Sequence, residues 1–300
     1  MVAARIAVIV NAAAGTAKGL PGIEREIARL FHQAGSDAEV IALSHGQNPT
    51  EVAKDAMTRA SVVVAAGGDG TVSGVAAAVV DSHAALGILP VGTLNHFAKD
   101  LHIPIDLAEA VAVVVAGHQA RVDVGRVNGR VFVNNSSIGV YPSIVEAREE
   151  LQHAGHGKWA ATAMATLRIL RQDRRATIDI DVGGRRGRWR TPFVFIGNNE
   201  FAVDGLRLGA RDRLDQGRLF VYVAPRLRSR ELPLLVAKAV LGRARDSGDF
   251  EMMSGRELSV DVSTGPKAPL VACDGEVLSM TSPLTYRACA QALAVIIPRG

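Results

Sequence analysis

The chain has 300 residues, 48% of them hydrophobic and 21% charged, with a formal net charge of +4. That length exceeds one ordinary core and predicts about two domains, and the apolar content excludes a disordered chain. The small positive charge demands no nucleic-acid partner, although it allows attraction to nucleotide phosphates or to an anionic membrane surface. Two cysteines, Cys273 and Cys289, match no zinc or redox spacing and read as buried thiols of a reducing cytoplasm. No run of about 18 apolar residues is present to span a bilayer, and no signal peptide is expected before the strand-like start.

Residues 5–10 (Arg-Ile-Ala-Val-Ile-Val) read as a first parallel strand, followed by the tight loop Asn11-Ala-Ala-Ala-Gly15. Residues 22–34 carry Ile23, Ile27, Leu30 and Phe31 at helical spacing, with Gly35 as the stop. Ala38–Leu43 is the second strand and Ser44-His45-Gly46 the next loop. A helix over Pro49–Ala60 follows, capped by Asn48 with proline at its first position. Val62–Ala66 is a buried strand that runs into Gly67-Gly68-Asp69-Gly70-Thr71 and then the apolar helix Val72–Val80. Leu86–Leu89 is a further strand, ending in Pro90-Val-Gly-Thr-Leu-Asn95. A helix over 106–116 is capped by Asp106 and closed by Gly117.

This β-loop-α alternation predicts a parallel sheet covered on both faces. Ligands of such sheets sit beyond the carboxyl ends of the strands, where the loops at 11–15, 44–46, 67–70 and 90–95 gather. A glycine turn before a helix suits a phosphate, because the helix N-terminus offers N–H groups and the positive end of a dipole. Asp69 beside an anion calls for a cation or a proton, which points to a nucleoside triphosphate with Mg²⁺. Taken alone, the turn is equally an ordinary strand-to-helix connection in which Asp69 merely caps the helix.

The pattern changes near Val122, where the domain boundary is placed: 1–122 as the α/β nucleotide-binding domain and 123–300 as a β-rich domain. Asn128-Gly129 is a hairpin signal. Ile178–Val182 alternates, Gly183-Gly184 turns, and Trp189–Ile196 returns as a strand. Leu219–Val223, Leu258–Val262, Leu270–Cys273 and Leu293–Ile297 are further strands, with helical stretches over 143–172. The fold class is therefore α/β followed by an antiparallel sandwich or barrel with a helical insertion.

At this point separated motifs coincide. Asn11-Ala-Ala-Ala-Gly15, Gly67-Gly-Asp-Gly-Thr71, Leu89-Pro-Val-Gly-Thr-Leu-Asn-His-Phe-Ala-Lys-Asp-Leu101, Phe132-Val-Asn-Asn-Ser-Ser-Ile-Gly139, Phe195-Ile-Gly-Asn198 and Asp274-Gly-Glu276 occur in order across nearly the whole chain. The sequence resembles bacterial lipid kinases with a diacylglycerol-kinase catalytic domain. The resemblance implies a site in the cleft between the two domains, and ATP- and Mg²⁺-dependent transfer of the γ-phosphoryl group to a lipid hydroxyl. The lipid would be diacylglycerol-like, sphingoid or phosphatidylglycerol. It implies nucleotide contacts at Asn11, Ser44, Gly67, Gly68, Asp69, Gly70, Thr71, Ser73 and Thr93, with Mg²⁺ reached by Asp69 through phosphate. It makes Glu276 the proton acceptor, with the reverse assignment, Asp69 as base, left open. The expected setting is cytoplasmic, at the inner membrane surface, with no nucleic acid and with a homodimer open. Two departures stand out: Ala12 replaces the usual proline, and Gln216 stands where some relatives bind a structural Mg²⁺ with aspartate, between Arg213 and Arg218.

Each functional reading has a plainer one beside it. Thr71 caps a helix or meets phosphate. Asn95 contacts nucleotide or braces its loop. His96 packs a loop against a helix. His153 and His156 lie in a polar loop and lack the partners of a metal site. Arg185-Arg-Gly-Arg-Trp-Arg190 is a solvated hairpin edge or a membrane contact, and Trp159–Leu170 is core packing or a lipid-entry wall. An NAD or sugar-phosphate kinase with the same cradle is the rival enzyme, and the Leu89–Leu101 block argues against it. A nucleotide or lipid sensor without catalysis is the rival of another class.

Overall fold

The structure is a computed structural model and describes residues 5–12, 22–154, 157–172, 175–203, 205, 209–225, 227–241, 250–263 and 268–299. The chain divides into two compact units, Met1–Val124 with Ala290–Gly300, and Gly125–Cys289. It therefore crosses between units twice. The return of 290–300 to the first unit is invisible to strand periodicity, because a strand's pattern does not say which sheet it joins.

In the first unit the strands are β1 (Ile6–Val10), β2 (Ala38–Ala42), β3 (Val62–Gly67) and β4 (Ala85–Pro90), parallel and ordered β2-β1-β3-β4. β1, β3 and β4 are buried at every position, which is why they read as unbroken apolar runs. The helices are α1 (Ile23–Gln33), α2 (Pro49–Ala56), α3 (Asp69–Val79), α4 (His96–Asp100) and α5 (Leu107–Ala116). Asn48 caps α2 by accepting the Thr50 N–H at 2.9 Å. Asp106 caps α5 by accepting the Glu109 N–H at 3.0 Å, and Gly117 ends it with φ 66°.

From β1 the chain steps outward to β2, then back past β1 to β3 and on to β4. Right-handed crossovers then put α1 on one face and α2 and α3 on the other. The direction reverses between β1 and β3, and the crevice of a doubly wound sheet opens at such a reversal. Residues 290–296 run parallel beside β4, with Val295 opposite Leu86.

The second unit is an antiparallel sandwich. In chain order its strands are β5 (Gln119–Val127, shared with the first unit), β6 (Arg130–Phe132), β7 (Asn135–Gly139), β8 (Ala176–Val182), β9 (Arg185–Thr191), β10 (Phe193–Asn198), β11 (Leu219–Val223), β12 (Glu251–Gly255), β13 (Glu257–Ser263), β14 (Leu270–Cys273), β15 (Glu276–Ser279) and β16 (Leu284–Ile296, also shared). One sheet is ordered β12-β11-β10-β7-β14-β15. In the other, β9-β8-β13 continue into β16, which pairs with β5, and β5 pairs with β6. Ile178, Ile180, Leu258, Val260 and Tyr286 meet Ile138, Ile196, Val221 and Val271 in one shared core. The helical insertion is α6 (Val140–His153) and α7 (Lys158–Arg171), with a small core of Val140, Ala147, Ala165 and Ile169. After a 3-10 turn at Ser229–Glu231 comes α8 (Leu232–Val240).

The single return strand expected over Trp189–Ile196 is two strands. Pro192 has no N–H to continue a ladder, and the chain leaves β9 in one sheet for β10 in the other. Trp189 is turned inward against the core, its indole N–H donating to Glu251 at 3.0 Å. Directly opposed pairs hold the neighbouring arginines: Arg188 donates to Asp179 at 2.6 Å and Arg186 to Asp181 at 2.8 Å. These hydrogen bonds hold both carboxyls below the usual range. The run is a charged sheet edge, and its Trp is partly buried against the core. Cys273 is buried, whereas Cys289 is only half-buried. Gly155 and His156 lie outside the described residues, as do the side chains of His153 and Trp159. Among the described residues no helix is long and apolar enough to cross a membrane.

Candidate functional site

The β1–β3 reversal is closed by side chain and backbone together. The Asn11 N–H donates to the Ala66 carbonyl at 2.9 Å, extending the strand pairing by one residue. Its side-chain amide donates to the Thr71 hydroxyl at 3.2 Å. Thr71 is buried, and its hydroxyl joins the first and third strand ends by accepting this bond. Between them Gly68 is extended and α3 begins at Asp69 with no side-chain cap. The Thr71 and Val72 N–H groups turn back to the Gly68 carbonyl at 2.9 and 3.0 Å. A side chain at Gly67 would lie 2.5 Å from the Thr71 hydroxyl oxygen.

The turn also packs against the loop after β4, backbone on backbone. A Cβ on Gly92 would collide with the Gly68 Cα and lie 2.6 Å from Asn95 Oδ1. Asn95 sits in the left-handed region, φ 53°, and braces this loop. Its Oδ1 accepts the Gly92 N–H at 3.1 Å, and its Nδ2 donates to the carbonyls of Gly92 at 2.9 Å and Pro90 at 3.2 Å. Asp69, half-buried, accepts the Phe97 N–H at 3.4 Å. The turn at 67–71 and the loop at 90–97 thus form one braced edge, on which Gly70, Thr93, Leu94 and His96 are exposed.

Of the residues expected to meet nucleotide, Asn11, Gly67, Gly68, Asp69, Gly70, Thr71 and Thr93 converge here. Ser73 lies further along α3 and is half-buried. Ser44 follows the edge strand β2, exposed, with its N–H donating to Gln47 Oε1 at 3.1 Å. Ala13, Ala14 and Gly15 of the first loop lie outside the described residues. The uncapped α3 terminus and one half-buried carboxylate fit a phosphate group carrying Mg²⁺, because that ion takes most of its ligands from phosphate and water. Among the described residues no three His, Cys, Asp or Glu side chains gather into an all-protein cage.

The second unit holds the other candidate. Asp274 and Gly275 have φ 47° and 89° and form the turn from β14 to β15. The Asp274 carboxylate accepts three successive backbone N–H groups, Val133 and Asn134 at 2.8 Å and Asn135 at 3.0 Å. From the other side the buried Arg211 donates to the carbonyls of Val133 at 2.7 Å and Asn198 at 3.0 Å and to Asn134 Oδ1 at 2.6 Å. Its guanidinium lies 5.1 Å from the centre of the Phe201 ring. Residues 133–135 are therefore clamped between a carboxylate and a guanidinium. On this support Glu276 is exposed and ion-paired with Arg130 of β6. Sequence reading singled out Asp274 and Glu276 but missed Arg211 and Arg130. The motif Phe132–Gly139 was the only signal near them, and nothing in it names a partner 78 residues away.

Gln216 makes a reciprocal amide clasp. Its Oε1 accepts the Glu200 N–H, and its own N–H donates to Asn199 Oδ1, both at 2.9 Å. Asp215 is held by Arg213 at 2.9 Å. Glu200 and Asp212 line the same hollow as Gln216, with Arg213 beside them. The second unit also contains a cavity of about 240 Å³ lined almost wholly by carbon, including Phe193, Phe195, Phe201, Tyr222, Leu235 and Phe250.

The first unit is thus a doubly wound sheet with a glycine turn at its strand reversal, and the second an antiparallel sandwich with an acidic turn. Residues 5–127 match the diacylglycerol kinase catalytic domain, and residues 138–297 match the YegS C-terminal NAD kinase beta sandwich-like domain. The chain is 30% identical to a probable lipid kinase YegS-like protein of Klebsiella pneumoniae, over 66% of this chain and 68% of that one. It is 40% identical to a diacylglycerol kinase of Staphylococcus saprophyticus over 112 residues, an alignment spanning only 37% of that relative. Its fold matches the crystal structure of a putative diacylglycerol kinase from Bacillus anthracis with a TM-score of 0.77 at 22% identity, covering 98% of this chain and 95% of that one. The chain belongs to the diacylglycerol kinase and YegS-like lipid kinase family.

Proposed function

We propose that this chain transfers the γ-phosphoryl group of ATP, with Mg²⁺, to the hydroxyl of a membrane lipid. The observation that carries the reading is the stitched strand reversal, in which Asn11, the Gly67-Gly68 turn and Thr71 place an open helix terminus and Asp69 at the position where a doubly wound sheet takes phosphates. Asn11, Ser44, Gly67, Gly68, Gly70, Thr71, Ser73 and Thr93 bind the nucleotide in this reading, and Asp69 holds Mg²⁺ through phosphate. The ion would supply charge neutralisation of the transferring group. Glu276, oriented by Arg130, accepts the proton of the lipid hydroxyl. The lipid oxygen bonds to the γ-phosphorus as the bond to the β–γ bridging oxygen breaks, and ADP leaves.

The carbon-lined cavity of the second unit favours an alkyl chain over a dinucleotide, because NAD would bring many polar atoms that this wall cannot satisfy. The peripheral, membrane-surface setting is part of the same reading. The test is transfer of labelled phosphate from ATP to a panel of diacylglycerol, sphingoid bases and phosphatidylglycerol, with NAD and sugar phosphates alongside. One labelled lipid, lost in Asp69→Ala, is expected. Labelled NAD with unlabelled lipids would overturn the reading.

A further inference from the structure

Apart from Lys238, the helix α8 is apolar in sequence. Its inner side places Leu235 and Ala239 against the carbon-lined cavity. Its outer side is Pro233, Leu234, Ala237, Val240 and, just past its end, Leu241, all exposed. Those positions fall at i, i+1, i+4, i+7 and i+8, one continuous helical stripe. Leu234 is 59% exposed, Val240 58% and Leu241 70%. A helix apolar all round is ordinarily buried on every side, and scattered surface leucines would not align this way. The residues that follow in sequence, 242–249, contain no large apolar side chain with which to cover the stripe.

Around α8 the cations outnumber the carboxylates: Glu231, directly before the helix, accepts the backbone N–H of Arg228 at 2.8 Å, and the other charged residues beside it are basic. Arg228 and Arg230 are exposed immediately before it, and Lys238 lies within it. Cations at a helix N-terminus oppose its dipole, so helix stability does not account for the two arginines. Leu232, at the start of α8, packs against the α6–α7 core. The α7 helix there exposes Met164 and Leu167 together with Arg168 and Arg171. Neither α7 nor α8 contains a carboxylate. Arg168 is partly offset by Glu150 of α6, 3.7 Å away.

We infer that the outer face of α8 docks on an anionic lipid bilayer, with its leucines entering the interface and the flanking cations meeting headgroups. A second copy of this chain fits less well, because a two-fold contact would set the same cations against each other. A bilayer satisfies both the apolar stripe and the cationic rim. The inference rests on the lipid-kinase reading for its purpose but not for its test, since it places the helix that walls the apolar cavity against the source of the lipid.

The test is sedimentation with phosphatidylcholine vesicles, with and without phosphatidylglycerol, using the full chain and the double variant Leu234→Glu/Leu241→Glu. Both side chains are exposed, so the variant should fold; circular dichroism and melting check this. The wild type should bind vesicles containing phosphatidylglycerol, and the double variant should bind about tenfold or more weakly. Arg228→Gln/Arg230→Gln should weaken binding to the anionic vesicles and flatten its salt dependence. Phosphorylation of lipid in vesicles should fall in the double variant, while phosphorylation of detergent-dispersed lipid should not. Equal vesicle binding by wild type and double variant overturns the inference. So does a wild-type dimer in light scattering that the double variant converts to monomer. Failure to phosphorylate any lipid, with vesicle binding intact, would instead count against the kinase reading alone.

Discussion

The two units hold their candidate residues by different means. In the first, close backbone packing leads and short amide side chains brace it: Gly68 against Gly92, an uncapped helix terminus, and Asn11 and Asn95 tying the loops. In the second, side chains do it: Asp274 on three N–H groups, Arg211 on two carbonyls, Arg130 on Glu276. Backbone placement keeps the turn compact, since Gly68 and Gly92 meet with no side chain between them. Side-chain placement costs buried polar groups, which must all find partners, but it delivers one carboxylate at a defined position. Phosphate recognition tolerates the first arrangement because N–H groups are everywhere on the chain. A proton acceptor requires the second.

The largest expected effect sharpens the contrast. Glu276→Gln should lower lipid phosphorylation by about a hundredfold or more, the usual share of a general base, and leave nucleotide binding unchanged in calorimetry. Loss of nucleotide affinity in that variant would break the division of labour between the units. Gly92→Ala should reverse the pattern. Its Cβ meets the Gly68 backbone, so about 1–3 kcal/mol of stability and much of the nucleotide affinity should go together, as read by urea unfolding and calorimetry. Nearby Thr93→Ala, whose side chain is exposed, should leave the unfolding midpoint unchanged.

Smaller effects probe the side-chain support. Asp274→Ala strands three backbone donors and should cost about 1–3 kcal/mol, with Asp274→Asn recovering part of it. Behind that turn, burial pushes the Cys273 thiol up to about 12 from 9.0 and also raises the Tyr286 phenol. Both groups are hydrogen-bonded to Ser136, and both are favoured in the protonated form by folding. Their stabilisation is therefore complete below about pH 9 and is lost as pH rises toward 12, so the urea midpoint should fall over that window. Cys273→Ala/Tyr286→Phe should flatten the fall. Last, Arg188→Ala on the exposed hairpin should leave the melting temperature unchanged, because exposed pairs contribute little.

The first unit was the more legible. Asn48 and Asp106 cap the helices assigned to them, and Gly117 closes α5, because caps and stops depend on neighbours within four residues. The hairpins at Asn128-Gly129 and Asp274-Gly275 carry the positive φ values their sequence demands. Gly92 and Asn95 were visible as loop residues, but their packing against Gly68 was not. Trp189 looked like an interface residue and packs partly buried against the core, since alternation along β9 decides its face and Gly187 makes room for its ring.

Local chemistry alone therefore settled the alternation of elements, the helix ends, the tight turns and the glycine bend at 67–71, since each depends on residues a few positions apart. Tertiary structure decided the order of strands and with it the β1–β3 reversal, the return of 290–300 to the first unit, the Arg211 clamp and the bare outer stripe of α8. Those features depend on which distant segments share a sheet or a core. A chain's local preferences are compatible with many such pairings, and only burial of the whole selects one.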